Sequence, residues 1–289
     1  MAHRIATANQ VAFCGSGEHT ERQLFDTWQW MQQQVSNSTV VIADNVQQFA
    51  DGSPREQWDH FKDFPGCVPF CNTLFIEWNG EDSGQVSQMG CLMLTEKVTA
   101  SHIHGDTIGI LDGVDTIVAM YFSMFCGGRL HVFMDEAVLR ITSTYEQLPM
   151  FARSINDPLA TPSIDELNSL SVVPMLSVSL ANCKNVKRVD ATDSEGPSAK
   201  WIRRQKAPTI RYHVLDINPM REVLRTEGGS ETNGLKKALH ICRGHFATYT
   251  ADKPLFGNIV GTVWKPAHVR GDIKQGAVVK DYSVSPPVK

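Results

Sequence analysis

The chain has 289 residues, 42% of them hydrophobic and 20% charged, enough apolar matter for a core and room for two domains. It contains no run of about 18 apolar residues, so no membrane-spanning helix is expected, and its first ten residues lack the apolar centre of a secretory leader. The net charge of −4 divides unevenly: residues 1–183 carry 8 Lys+Arg against 21 Asp+Glu, a balance of −13, whereas 184–289 carry 19 against 10, a balance of +9.

Such asymmetry points to an anionic partner for the basic part, RNA or another polyanion. It also predicts attraction between the two parts, with the acidic one able to mask the basic one. The seven cysteines (14, 67, 71, 91, 126, 183 and 242) are scattered, with no CxxC pair. They read as reduced thiols of a cytoplasmic protein, mostly small core residues, and not as a disulfide framework.

In chain order, Val11–Cys14 is a short apolar run, followed by a Gly15-Ser16-Gly17 turn and a helix over Glu18–Val35 with Leu24, Trp28, Met31 and Val35 on one face. That glycine turn could cradle a phosphate, but it has no lysine and leads into Glu18 and Glu21, so a plain turn is expected. Strands are expected at Val40–Ala43, at Val68–Trp78 with a turn at Asn79-Gly80, and at Cys91–Thr95. Residues 51–66 read as loop. His102 and His104 share one side of an extended segment, a spacing that metal sites use, but no third ligand accompanies them. Thr116–Phe125 and Arg129–Met134 flank Gly127-Gly128, a strong hairpin signal and the best fold evidence in the N-terminal part. A proline-punctuated connection leads to a helix capped by Ser163 with Glu166 three residues on, and Pro174 predicts a break in it.

Residues 186–206 are polar and basic and read as an exposed linker. Within it Lys187, Arg188, Arg203 and Arg204 suit a nucleic-acid backbone and Trp201 suits stacking on a base; a merely solvated linker is the plain alternative. After Pro208 the pattern turns β-rich, starting with a strand over Thr209–Ile217.

The last third gathers proton-moving and anion-binding groups. If Leu239–Tyr249 is one strand, Arg243 and His245 share a face and His240 and Cys242 take the other. His268 and Arg270 share a face of a second strand, and Lys280 and Tyr282 of a third. Two imidazoles with two guanidinium groups suit metal-free cleavage of RNA. One histidine takes the 2′-hydroxyl proton, the other protonates the leaving 5′-oxygen, and arginine clamps the phosphate. His245 and His268 are therefore the acid and base, Arg243 and Arg270 the clamp, and Lys280 and Tyr282 further nucleic-acid contacts. The plain alternative makes His240 a core residue and the two Arg-Gly pairs tight bends. Zinc-type ligands occur here too (His240, Cys242, His245 and His268), but strand parity separates His245 from the first two, so neither a metal nor another cofactor is expected.

The wording of Leu239-His240-Ile241-Cys242-Arg243-Gly244-His245-Phe246, Leu255-Phe256-Gly257, His268-Val269-Arg270-Gly271 and Val279-Lys280-Asp281-Tyr282 resembles an uncharacterised family of bacterial and bacteriophage proteins, mainly over residues 207–284. The resemblance implies a bacterial or phage cytoplasmic setting and carries over no catalytic residues. The expected fold is α+β: an acidic region, 1–185, with antiparallel strands and a few helices; a basic linker, 186–206; and a small, mostly-β domain, 207–289, that holds the candidate site. The expected function is a nucleic-acid-directed protein, in its catalytic form a metal-independent endoribonuclease. Its alternative is a non-catalytic interaction or structural protein in which the same residues form a core or a partner-binding surface.

Overall fold

Hydrophobic alternation and turn chemistry settle the larger sheet. The structure, a computed structural model, describes residues 1–51, 66–82, 85–98, 113–143, 147–155, 163–217, 238–242, 245–255, 259–265, 268–270 and 272–277. It is an α+β protein whose chain divides into two units, Met1–Ala181 with Arg188–Leu215, and Asn182–Lys187 with Asp216–Lys289.

In the first unit β5 (Val114–Cys126) and β6 (Arg129–Thr142) meet at Cys126↔Arg129, which leaves Gly127 and Gly128 as a two-residue turn. Both glycines have positive φ, 55° and 78°, and that hand of turn matches the twist of the strands. The meander runs from β3 (Thr73–Asp82) and β4 (Gln85–Lys97) through β5 and β6 to β7 (Gln147–Ser154), antiparallel throughout. Four short strands extend it. β1 (Ala12–Cys14) lies parallel to the start of β6, while β2 (Thr39–Ile42) is parallel to β3 on one side and to β9 (Arg211–Asp216) on the other. The order is β1-β6-β5-β4-β3-β2-β9-β8, with β8 (Lys187–Asp190) at the far edge and β7 on β6.

Helix α1 (Ala2–Thr7) and helix α2 (Glu21–Ser36) cover one patch of this sheet. Trp28, Met31 and Val35 of α2 pack with Ile5, Phe75, Leu92, Leu130, Val132 and Tyr212, each helix residue worth roughly 1.5–3 kcal/mol of burial. The helix starts at Glu21 and not at Glu18, because Thr20 is its N-cap and forms a reciprocal capping box with Gln23. Helix α4 (Ile164–Ala181) packs on β6, β7 and helix α3 (Asp44–Asp51).

Several expectations change. β3 runs through Asn79-Gly80 to Asp82↔Gln85, because Gly80 pairs with Ser87 and Asn79 is held by the Asp44 carboxylate. β7 forms where a connection was expected, and Pro149 is tolerated because β7 is paired on β6 alone. α4 continues through Pro174. There the burial of Val173, Met175, Leu176, Val178 and Leu180 outweighs the missing hydrogen bond. Residues 186–206, read as a linker, contain β8, helix α5 (Thr192–Glu195) and helix α6 (Ala199–Gln205). The expected strand near 209–217 joins the first unit's sheet as β9.

The second unit holds β10 (Ala238–Cys242), β13 (His268–Arg270) and β14 (Asp272–Ala277) in one sheet, and β11 (His245–Tyr249) with β12 (Gly261–Lys265) in another. Leu239–Tyr249 is thus two strands in two sheets. Trp264 is buried against Phe246, and the Asn185 amide both donates to the Trp264 carbonyl at 2.6 Å and accepts from its N–H at 2.8 Å. Asn185 so completes β12 as a neighbouring strand would.

Candidate functional site

The basic segment around α6 is ordered by its own capping. Ser198 Oγ accepts the Trp201 N–H at 3.3 Å, and Lys206, in the left-handed region at φ 50°, ends the helix. One turn of helix then sorts the side chains. Trp201 and Ile202 are half-buried, whereas Lys200, Arg203, Arg204 and Lys206 are exposed. Among the described residues no carboxylate forms an ion pair with any of these four cations.

Trp201 leads inward to an aromatic stack. Its ring lies 5.0 Å from that of His3, and His3 Nδ1 is 2.7 Å from the Tyr212 hydroxyl. Beneath them Glu77, buried in β3, accepts from the Ala2 N–H at 2.8 Å and pairs with the Met1 amino group at 3.0 Å. Burial, and then the nearby Met1 amine, lower the His3 pKa; burial, and then Glu77, raise that of Tyr212. Both groups are therefore neutral at pH 7. The stack borders an open cavity of about 900 Å³ lined also by Arg4, Phe125 and Arg129. The Arg4 guanidinium lies 4.0 Å over the Phe125 ring, and its Nε donates to Gln88 Oε1 at 3.3 Å. Aromatic walls with cations on the rim can hold planar, anionic groups.

The residues singled out by sequence fall in different places. Arg203 and Arg204 are exposed as expected, and Trp201 is turned onto His3. Arg188 lies over the Phe70 ring at 4.2 Å, and Lys187 is exposed on the edge strand β8. Arg243, Lys280 and Tyr282 lie outside the described residues, as do His102 and His104. Backbone pairing sets His245 across from Lys265, Cys242 across from His268, and His240 across from Arg270. The one-strand parity that joined Arg243 and His245 to His268 and Arg270 does not carry over, because β10 and β11 belong to different sheets.

The glycine turn at Gly15–Gly17 is no phosphate cradle. Asp135 Oδ2 already accepts the Ser16 N–H at 2.9 Å and its hydroxyl at 3.2 Å. Of the cysteines, Cys67, Cys91 and Cys183 are buried and form no disulfide among the described residues, and burial pushes Cys67 up to about 11 and Cys183 up to about 12, far from thiolate chemistry. Sequence reasoning missed His3, Arg4 and Tyr212. Only the His3-Arg4 pair in the first amphipathic turn hinted at them, and their joining to Trp201 spans some two hundred residues. The chain matches no family model, no curated protein and no solved structure. No helix among the described residues is long and apolar enough to cross a membrane.

Proposed function

We propose that the protein binds single-stranded nucleic acid, RNA in the first instance, along the exposed cations of α6 and the aromatic cavity beside them, in a bacterial or phage cytoplasm. One observation carries this reading: Lys200, Arg203, Arg204 and Lys206 are exposed without ion pairs among the described residues, next to a half-buried indole. Unpaired surface cations release counterions from a phosphate backbone, and an aromatic floor accepts any base. The decisive measurement is fluorescence anisotropy of a labelled oligoribonucleotide over a salt series. The double variant Arg203→Glu/Arg204→Glu is expected to bind at least about tenfold more weakly, with its log–log salt slope reduced by about 1.4, two contacts' worth for a single strand. Equal affinity and slope in the two proteins sink the proposal.

Cleavage is the catalytic extension of the same reading, with His245 and His268 as acid and base and Arg243 and Arg270 as clamp. RNA incubated in EDTA tests it separately. Cleavage lost in both His245→Ala and His268→Ala supports the extension, whereas intact RNA leaves a binding protein. If RNA is neither bound nor cut, the non-catalytic interaction protein is the reading that stands.

A further inference from the structure

The cavity beside α6 lies across one face of the larger sheet, and strand pairing gives its direction. Leu130 of β6 is paired with Phe125 of β5, and Phe125 with Gln88 of β4. Paired residues share a face, and so do residues two apart on one strand, so Glu77 of β3 and Tyr212 of β9 follow on that face. From Phe125 on β5 to Tyr212 on β9 is four inter-strand steps, roughly 19 Å across the sheet.

The two ends differ in charge. At the Tyr212 end Trp201 lies against His3, and a Cβ on Gly196 would stand 3.4 Å from the Tyr212 ring, which places the preceding Glu195 in the lining. At the Phe125 end the Arg4 guanidinium lies 4.0 Å over the ring, and Arg129 precedes Leu130, the partner of Phe125 across the hairpin. Both arginines are exposed, and among the described residues neither forms an ion pair with a carboxylate. Arg4 Nε donates to Gln88 Oε1 at 3.3 Å, so its two terminal nitrogens remain as a fork for a second pair of acceptors.

We propose that the arginine end of the cavity takes a terminal phosphomonoester of RNA, so that the protein recognises a phosphorylated strand end. End recognition rests on RNA binding by α6 and adds a terminus to it. An internal phosphodiester carries one negative charge, whereas a terminal monoester carries about 1.5 to 2 at pH 7, with three strong acceptor oxygens. Two guanidinium groups match the monoester, since each can bond two oxygens side by side. Glu195 at the other end repels phosphate and can accept from ribose hydroxyls, which assigns the dianion to the arginine end. At about 3.4 Å per stacked nucleotide, roughly 19 Å holds about five nucleotides. A strand on α6 thus reaches Arg4 and Arg129 with its last few nucleotides, the Trp201 and Phe125 rings serving as platforms at the two ends. A free ribonucleotide carries the same phosphomonoester but lacks the contacts to α6.

The test uses the full chain and oligoribonucleotides of one sequence that end in a phosphate or a hydroxyl, phosphorylated at the 5′ end in one pair and the 3′ end in another, with the label at the opposite end. In the wild type one phosphorylated form is expected to bind at least about tenfold more tightly than its hydroxyl counterpart. In Arg4→Gln/Arg129→Gln that ratio is expected to fall below about twofold. Arg203→Glu/Arg204→Glu should weaken both forms and keep the ratio. Arg129→Gln alone changes only an exposed hairpin residue and should cut the ratio at least about threefold, so the test survives if loss of Arg4 from the Phe125 ring disturbs folding. Adenosine 5′-monophosphate should compete only at concentrations at least about a hundredfold above those of the phosphorylated oligomer. A wild-type ratio near one, or a ratio that survives loss of both arginines, overturns end recognition while binding of hydroxyl-ended RNA by α6 stands. A mononucleotide that competes as well as the oligomer overturns it too and makes the site one for free nucleotides. If neither RNA binds, the α6 reading falls and end recognition with it.

Discussion

His3 sits between two rings and a charge: the Trp201 indole at 5.0 Å, the Tyr212 hydroxyl at 2.7 Å, and the Met1 amine whose field opposes its protonation. Its pKa is lowered from 6.5 by burial first and by that amine second. A base with a depressed folded pKa binds fewer protons folded than unfolded. Its contribution to stability is therefore complete above about 6.5 and declines as pH falls below that value. Thermal unfolding followed from pH 7.5 to 5.0 should show a falling Tm in the wild type and a flatter profile in His3→Gln; parallel profiles would remove His3 as the cause. The Met1 amine, lowered from 8.0 mainly by burial, acts in the same direction but is present in both proteins, so the difference between the profiles isolates His3. Glu77 is the partner of that amine, at 3.0 Å, and the Met1 side chain is fully buried. Glu77→Gln removes that counter-charge, the buried amine then sheds its proton, and the unsatisfied group should cost about 1–3 kcal/mol in urea unfolding. A loss near the value of an exposed pair, below about 1 kcal/mol, would mean that water reaches the site.

Among the elements, two glycines separate packing from backbone conformation. A Cβ on Gly90, in the centre of β4, would stand 2.4 Å from Phe75 Cζ, 2.9 Å from Ser123 Oγ and 3.0 Å from Met1 Cγ. Gly128, in the hairpin turn, would meet nothing within 4 Å, but its φ is 78°. Gly90→Ala should therefore destabilise by about 2–3 kcal/mol through overpacking, and Gly128→Ala by only about 1 kcal/mol through its left-handed backbone. Chemical denaturation of the two variants checks the ranking, which reverses if the β4–β5 core is loosely packed. The same contrast explains what the sequence disclosed. Gly127-Gly128, the Ser163 cap and the apolar stripe of α2 are local signals, and each element formed near its expected place. β7 was hidden because Pro149 reads as a breaker unless an edge position is known. Pro174 misled because only the burial of α4 keeps the helix intact. The reading of the C-terminal cluster assumed one strand over Leu239–Tyr249, whereas the described residues of that stretch fall in β10 and β11. With β10 and β11 in different sheets, Cys242 changes sides relative to His268, from opposite face to direct partner. Register across strands is non-local, and alternation along one strand cannot supply it.

At the scale of the molecule, the charge division seen along the sequence persists in space but moves. The first unit carries 14 Lys+Arg against 24 Asp+Glu, a balance of −10, and the second 13 against 7, a balance of +6. Within the first unit residues 188–215 carry 6 against 3, a cationic island on an acidic body. A polyanion meets opposite fields at the two levels. The net charge of the first unit repels it at long range, and the α6 cations attract it within a Debye length, roughly 8–10 Å at ordinary salt. If binding depended on net charge, the second unit would dominate; if it depends on exposed cations beside an aromatic cavity, α6 does. The two are separable by charge reversal at exposed sites. Arg203→Glu/Arg204→Glu removes cations from α6, and Lys184→Glu/Lys253→Glu removes the same number from exposed positions of the second unit. RNA anisotropy titrations of the two double variants should show a loss of at least about tenfold for the first pair and less than about threefold for the second, since charges that do not touch the strand act only through the screened field. If the two pairs exchange ranks, the nucleic-acid surface belongs to the second unit, and the α6 cations serve solubility alone.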